Sequence, residues 1–91
     1  MSNEISLAPR LDLSAAQELL ATLSTRKDSK VILDMSEVSH LGSLCLQVMI
    51  AAARAARNDG RTLIVKNTSD RVRDQMRVMG MTPETIGKGD L

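Results

Sequence analysis

The sequence predicts a small α/β domain in which helices pack against a short sheet. The first observation is two apolar runs of strand length, at residues 30–35 and 62–65. The second is a set of longer segments whose apolar residues recur at three- and four-residue spacing, which is typical of helices. The third is the alternation of the two along the chain. This order implies a sheet with helices against it and right-handed crossovers wherever neighbouring strands are parallel.

The composition fits one soluble domain, residues 1–91, with 43% apolar and 25% charged residues. The net charge of +1 and the absence of aromatic residues argue against a nucleic-acid-binding protein. One cysteine and one histidine exclude an internal disulfide and argue against a zinc site. The longest uncharged stretch, residues 38–53, is too short and polar to span a bilayer. Since no secretory signal is evident, we expect a cytoplasmic protein without membrane insertion.

The first third of the chain predicts a strand and a helix. Residues 4–13 alternate partially, and Pro9 interrupts them, so they indicate a short or edge strand. Ser14 and Gln17 have the spacing of a capping box. Apolar residues then recur on one helical stripe: Ala16, Leu19, Leu20 and Leu23.

The middle of the chain predicts a buried strand, a turn and a long helix. Residues 30–35 suit a central strand, and residues 36–42 turn over the end of the sheet. The helix at residues 44–57 is apolar over much of its circumference, so it is either internal or offers a face to a partner. The Asn58-Asp59-Gly60 sequence ends it.

The last third predicts a strand at residues 62–65 and a third helix. Residues 67–70 supply its cap, with Asp70 placed against the helix dipole, and Gly80 ends it. Residues 81–91 are weakly patterned, so we expect a frayed end or one irregular turn.

Ser43, before the long apolar helix, is the main candidate for function. Its hydroxyl could cap the helix, which is the usual reason for a serine at such a position. It could also accept a phosphate, because a helix N-terminus favours an anion. The two interpretations are compatible.

Other candidate groups suggest chemistry less strongly. Cys45 lies on an apolar helical stripe, so a buried thiol is favoured over a nucleophile paired with His40. Asp12 is assigned to the turn before the first helix and Asp34 to the end of the central strand, and nothing in their spacing establishes a carboxylate pair. The arginines at 54, 57, 71, 73 and 77 suit a solvated face better than a phosphate site. Without a nucleotide- or metal-binding motif, we expect no enzyme and no cofactor.

The segment VILDMSEVSHLGSLCLQVMIAAARAARNDGRTLIVKNTSDRVR, together with RLDLSAA at residues 10–16, resembles a STAS domain. This family includes anti-sigma factor antagonists and the cytoplasmic tails of sulfate transporters. The resemblance implies a STAS fold: a mixed sheet of about four short strands with helices packed on one side. It places Asp12 at the family's acidic position and Ser43 at the serine that is phosphorylated in the antagonists.

The turn departs from the family pattern D-S-S-G-L. Gly42 replaces the acidic residue, Leu44 the second hydroxyl and Cys45 the glycine, whereas Leu46 matches the leucine. The wording LGSLCLQ resembles short, stand-alone STAS proteins encoded with bacterial chemotaxis genes, in which glycine is frequent at the position of Ser43.

The resemblance implies a non-catalytic regulatory module that docks on a signalling kinase of the chemotaxis or two-component type. The alternative is an anti-sigma factor antagonist, in which an anti-sigma serine kinase phosphorylates Ser43 and thereby blocks binding. A homodimer is also compatible with the apolar helix. The expected partner-binding residues surround the turn: Asp12, His40, Leu41, Gly42, Ser43, Leu44, Gln47, Asn67 and Ser69.

Overall fold

The computed structural model describes residues 4–88. Its strands and helices follow one another in the order β1 (Glu4–Ser6), β2 (Arg10–Leu11), α1 (Ala16–Thr25), β3 (Lys30–Asp34), β4 (His40–Leu41), α2 (Ser43–Asn58), β5 (Thr62–Lys66), α3 (Asp70–Val78) and α4 (Pro83–Lys88). A short 3₁₀ turn, Leu13–Ala15, precedes α1. The predicted α/β order is confirmed.

The strands form two parallel sheets. β3 is the centre of a three-stranded sheet of order β1-β3-β5, with Leu33 opposite both Ile5 and Val65. β2 and β4 form a separate two-residue ladder. Within residues 4–88 the strand pairs are all parallel, so the expected mixed arrangement of strands in a single sheet is wrong. Pro9 divides the first predicted strand into β1 and β2, since proline has no N–H to donate to a ladder.

The core lies between the sheet and the helices. Val31 and Leu33 of β3 and Leu63 of β5 are buried on one face, against apolar residues of α2 such as Met49 and Ala53. Ile32 of β3 and Ile64 of β5 alternate to the opposite face, where they are half-buried and paired with each other in the ladder. Methionines and aliphatic residues form the core in place of aromatic ones, and Met35, Met49 and Met76 are fully buried.

The segment after α3 is more ordered than its weak sequence pattern indicates. α4 buries Ile86 completely, and Gly87 lies so close to β5 that an added Cβ would be 2.9 Å from the Leu63 carbonyl oxygen. Thr82 and Thr85 exchange hydrogen bonds between their hydroxyl groups and backbone N–H groups, which satisfies the first turn. The expectation of a frayed end is therefore wrong for residues 83–88, and residues 89–91 lie outside the described residues.

Helix ends follow the sequence signals unevenly. Gly60 and Gly80 have φ of 72° and 78° and end α2 and α3, as predicted. The capping box at Ser14 does not form, because its hydroxyl donates to the carboxylate of Asp12 at 2.7 Å inside the 3₁₀ turn. α1 begins two residues later, at Ala16.

Candidate functional site

The segment from β4 to the first residue of α2, residues 40–43, is called the Ser43 turn. Its backbone is fixed against the end of β2, because the Gly42 N–H donates to the Leu11 carbonyl at 2.7 Å. A Cβ at Gly42 would stand only 3.0 Å from that oxygen and 3.7 Å from the Asp12 Cα. Glycine therefore permits this close approach, which brings Asp12 beside the start of α2.

Cys45 holds the same two segments together from inside. Its thiol is fully buried and donates to the Asp12 carbonyl at 3.3 Å. Burial, and to a lesser degree the charge of Asp12, raises the pKa of Cys45, so the protonated thiol is favoured. His40 forms a hydrogen bond with Gln75 of α3 instead. The predicted buried helix thiol is confirmed, and the thiol lacks the electropositive surroundings that activate a nucleophile.

Ser43 is the first residue of α2, and Gly42 is the N-cap. The Ser43 side chain is exposed, and within the described residues its hydroxyl has no hydrogen-bond partner. Its capping role, one of the two alternatives from sequence, is therefore wrong. The first turn of α2 also contains no acidic residue, so the helix itself supplies no negative charge at the positive end of its dipole.

Asp12 presents a carboxylate at the edge of this site. One of its oxygens accepts from the Ser14 hydroxyl, and the other lies 3.9 Å from the Arg10 guanidinium. The hydrogen bond from Ser14 is the main reason why the pKa of Asp12 lies below its usual value, although burial opposes it slightly. The structure thus places an ionised carboxylate beside the Ser43 turn.

Gln75 of α3 is a residue of this site that sequence reasoning missed. Its Oε1 accepts from the Leu41 N–H at 2.9 Å, and its Nε2 lies 3.2 Å from Nδ1 of His40. Leu41 is buried and His40 is half-buried in the short strand β4. The only sequence signal was a polar residue near the apolar stripe of α3, and that signal does not reveal a partner 34 positions away.

Asn67 and Ser69 have structural partners. The Asn67 amide donates to the Asp34 carboxylate at 3.1 Å, and its backbone has a left-handed φ of 60°. The Ser69 hydroxyl accepts from the Val72 N–H at 3.2 Å, which confirms the predicted cap of α3. Hydrogen bonds from Asn67 and from the Ser36 backbone lower the pKa of Asp34. These residues therefore support the end of the sheet and the start of α3.

An exposed apolar strip runs from the Ser43 turn along α2. Leu44 is 42% exposed, Val48 is half-buried and Ala51 is exposed, so the long helix is not wholly internal. Leu13, in the 3₁₀ turn next to Asp12, is 75% exposed. Gln47 is exposed one turn after Ser43. Farther along, Val48 and Ala51 line a groove of about 320 Å³ between α1 and α2, with Leu20 on its other wall.

Other kinds of site find little support in residues 4–88. No three carboxylate, thiol or imidazole side chains in this range lie close enough together to hold a metal ion. Arg73 and Arg77 form ion pairs with Glu84 and Asp74, which agrees with the predicted solvated face of α3. No helix in the described part of the chain has both the length and the apolar character needed to cross a membrane.

A family model described as "Mlab, STAS domain" matches residues 2–86. No curated protein matches the chain. Among solved structures, a sulfate transporter family protein from Wolinella succinogenes superposes with a TM-score of 0.73 at 16% sequence identity. The superposition covers 85% of this chain and 65% of that one, and at this identity it shows the fold alone.

The match to the family model covers nearly the whole chain and agrees with the fold. The chain belongs to the STAS domain family.

Proposed function

We propose that this STAS domain is a non-catalytic regulatory module of the cytoplasm that docks on a signalling kinase through the Ser43 turn. The observation that carries the proposal is an exposed surface on a fixed backbone. Leu13 and Leu44 expose apolar side chains on two segments held together by the Gly42 and Cys45 hydrogen bonds. Docking on such a surface requires little ordering of the chain, so more of the contact energy contributes to affinity.

The chemistry of this surface suits a protein partner. Apolar side chains lie beside the Asp12 carboxylate and the polar side chains of Ser43, His40 and Gln47, a mixture typical of protein interfaces. A kinase of the chemotaxis or two-component type is proposed from the resemblance of LGSLCLQ to stand-alone STAS proteins of chemotaxis gene clusters. Family membership by itself supports only the broader role, a regulatory protein-interaction module.

Partner switching is a second candidate, and the free Ser43 hydroxyl favours it. A phosphate there would add about two negative charges to the docking surface. The first turn of α2 contains no acidic residue, so the positive end of its dipole would tolerate these charges and the helix should persist. The modification would then act on the partner, through repulsion and desolvation, without unfolding the domain. In this case the kinase is an anti-sigma serine kinase and the chain is its antagonist.

The test begins with capture of partners from the native host by the tagged chain, followed by affinity measurement with the purified partner. Leu44→Asp places a charge in the docking surface and should weaken binding at least tenfold. Leu20→Asp is the matched control, because Leu20 is the same residue type and is 50% exposed but lies on α1. The control should bind like the unmodified chain.

Equal loss in both variants would assign docking to the groove between α1 and α2 and would contradict the Ser43 turn. Unchanged binding in Leu44→Asp would exclude the proposed surface altogether. Self-association of the purified chain that Leu20→Asp abolishes would instead indicate a homodimer through the groove. Mass spectrometry of the captured Ser43 peptide separates the two candidates, since partner switching requires a phosphorylated fraction.

A further inference from the structure

The contact between α3 and β4 fixes the direction of each hydrogen bond in it. The Leu41 backbone N–H is always a donor, so the atom of Gln75 that faces it at 2.9 Å must be Oε1. The amide NH₂ of Gln75 therefore faces Nδ1 of His40 at 3.2 Å. Because the NH₂ can only donate, Nδ1 must accept, and the proton of the neutral imidazole is on Nε2.

A protonated His40 cannot be accommodated without losing one of these hydrogen bonds. Both ring nitrogens of an imidazolium are donors, so Nδ1–H would face the NH₂ of Gln75. Reversal of the amide would satisfy His40 but would turn the NH₂ against the Leu41 N–H. Leu41 is buried, so its N–H would be left without a partner. Either arrangement weakens the attachment of β4 to α3.

Both positively and negatively charged side chains lie on the elements around His40. Its partner in the β2–β4 ladder is Arg10, whose guanidinium lies 3.9 Å from the Asp12 carboxylate. On α3, Arg71 precedes Gln75 by one turn, and the adjacent Asp74 is paired with Arg77 at 3.1 Å. The elements packed against β4 are β2 and α3. They carry Arg10 on β2, with Asp12 directly after it, and Asp70, Arg71, Arg73, Asp74 and Arg77 on α3. The carboxylates paired with these arginines are exposed to solvent, so the ion pairs contribute little energy. The hydrogen bonds of Gln75 therefore decide which protonation state of His40 this contact accepts.

We propose that Gln75 is a positioning residue of the Ser43 turn and that it holds the turn in place only while His40 is neutral. Gln75 fixes the tautomer, so that His40 presents Nε2–H as a donor on the side of the ring away from α3. A docking partner would then place a carbonyl or carboxylate oxygen there. Protonation of the imidazole would remove one of the hydrogen bonds of Gln75 and would loosen the turn. The regulatory meaning of this inference rests on the proposed function, but the positioning does not.

The test is amide hydrogen exchange of the free protein by NMR at pH 8 and pH 5. Rates are expressed as protection factors, which removes the intrinsic effect of pH on exchange. In the unmodified chain the protection of Leu41 should fall roughly fivefold on acidification, the effect of one hydrogen bond. The protection of Leu33, in the central strand, serves as the reference and should change less.

Gln75→Glu should abolish this fall. Its carboxylate can accept from the Leu41 N–H and from Nδ1–H of His40 in the neutral or the protonated form, so protection of Leu41 should not decrease on acidification. His40→Ala should remove the response to pH. Equal protection of Leu41 at both pH values in the unmodified chain would overturn the inference, and so would a fall in Gln75→Glu. Because no partner is needed, failure here leaves the docking surface untouched, and loss of that surface leaves this test intact.

Discussion

The N-termini of α2 and α3 carry the same sequence signal and use it differently. A serine stands at the start of each helix, as the N-cap before α3 and as the first residue of α2. At α3, Ser69 is the N-cap and accepts from the Val72 N–H, and Asp70 places a negative charge in the first turn. At α2, Gly42 is the N-cap, and Ser43 stands one position later with an exposed hydroxyl.

The difference separates a structural serine from an available one. At α3 the hydroxyl and the carboxylate satisfy the free N–H groups and the dipole of the helix. At α2 the Ser43 hydroxyl makes no such hydrogen bond, and the first turn contains no carboxylate. The start of this helix is held instead by backbone contacts to Leu11 at the end of β2 and to Asp12 directly after it. The hydroxyl of Ser43 thus has no role in the fold that would prevent a partner or a kinase from using it.

The largest expected effect on stability concerns the backbone contact at the start of α2. Gly42→Val would force a branched side chain against the Leu11 carbonyl, at a point where even a Cβ is 3.0 Å away. We expect a loss of about 1–3 kcal/mol in the free energy of unfolding, measured in urea. Gly42→Ala should lose less. Stability equal to that of the unmodified chain would show that the segments can separate without cost.

A smaller effect distinguishes the two serines. Ser69→Ala removes a hydroxyl that accepts from the Val72 N–H, and we expect a loss of about 1 kcal/mol in the free energy of unfolding. Ser43→Ala should change this free energy by less than about 0.5 kcal/mol, because its hydroxyl has no partner. Urea unfolding of both variants under one condition measures the difference. Equal losses would remove the distinction between the two helix starts.

The smallest effect concerns the segment that leads into α3. The Asn67 amide and the Ser36 N–H favour the ionised form of Asp34, so its folded pKa lies below the ordinary value of 3.8. This contribution to stability is present above pH 3.8 and is lost as the pH falls through the folded pKa. Asp34→Asn should therefore make the loss of stability in acid less steep.

Asn67→Gly is the companion variant for this measurement. Glycine accepts the left-handed φ of 60° and removes only the amide donor, so it too should reduce the acid dependence. Unfolding free energies at pH 7 and pH 3 give the comparison. An unchanged difference between the two pH values in both variants would exclude the Asp34–Asn67 contact as its source.

Much of the frame could be predicted from the sequence because it depends on local patterns. The strand at residues 30–35 is β3, and the helix at 44–57 is α2 with one more residue at each end. α4 was missed, although Thr82 and Pro83 form an N-terminal helix signal, because only one apolar residue of α4, Ile86, is fully buried.

The candidate site was harder to predict because long-range contacts build it. The position of Asp12 beside Gly42 depends on a two-residue ladder, which leaves no periodic pattern. Gln75 reaches β4 through tertiary packing of α3, and no local signal specifies that contact. The exposure of Leu44 depends on how α1 packs against α2, which a nearly all-apolar helix does not specify.

The most direct measurement is the affinity of the purified partner for Ser43→Asp, Ser43→Ala and Gln17→Asp. Gln17 is exposed in the first turn of α1, so its variant adds the same charge to a helix start outside the Ser43 turn. We expect Ser43→Asp to abolish docking, whereas Ser43→Ala and Gln17→Asp bind like the unmodified chain. Equal affinity of Ser43→Asp and Ser43→Ala would contradict a docking surface centred on the Ser43 turn.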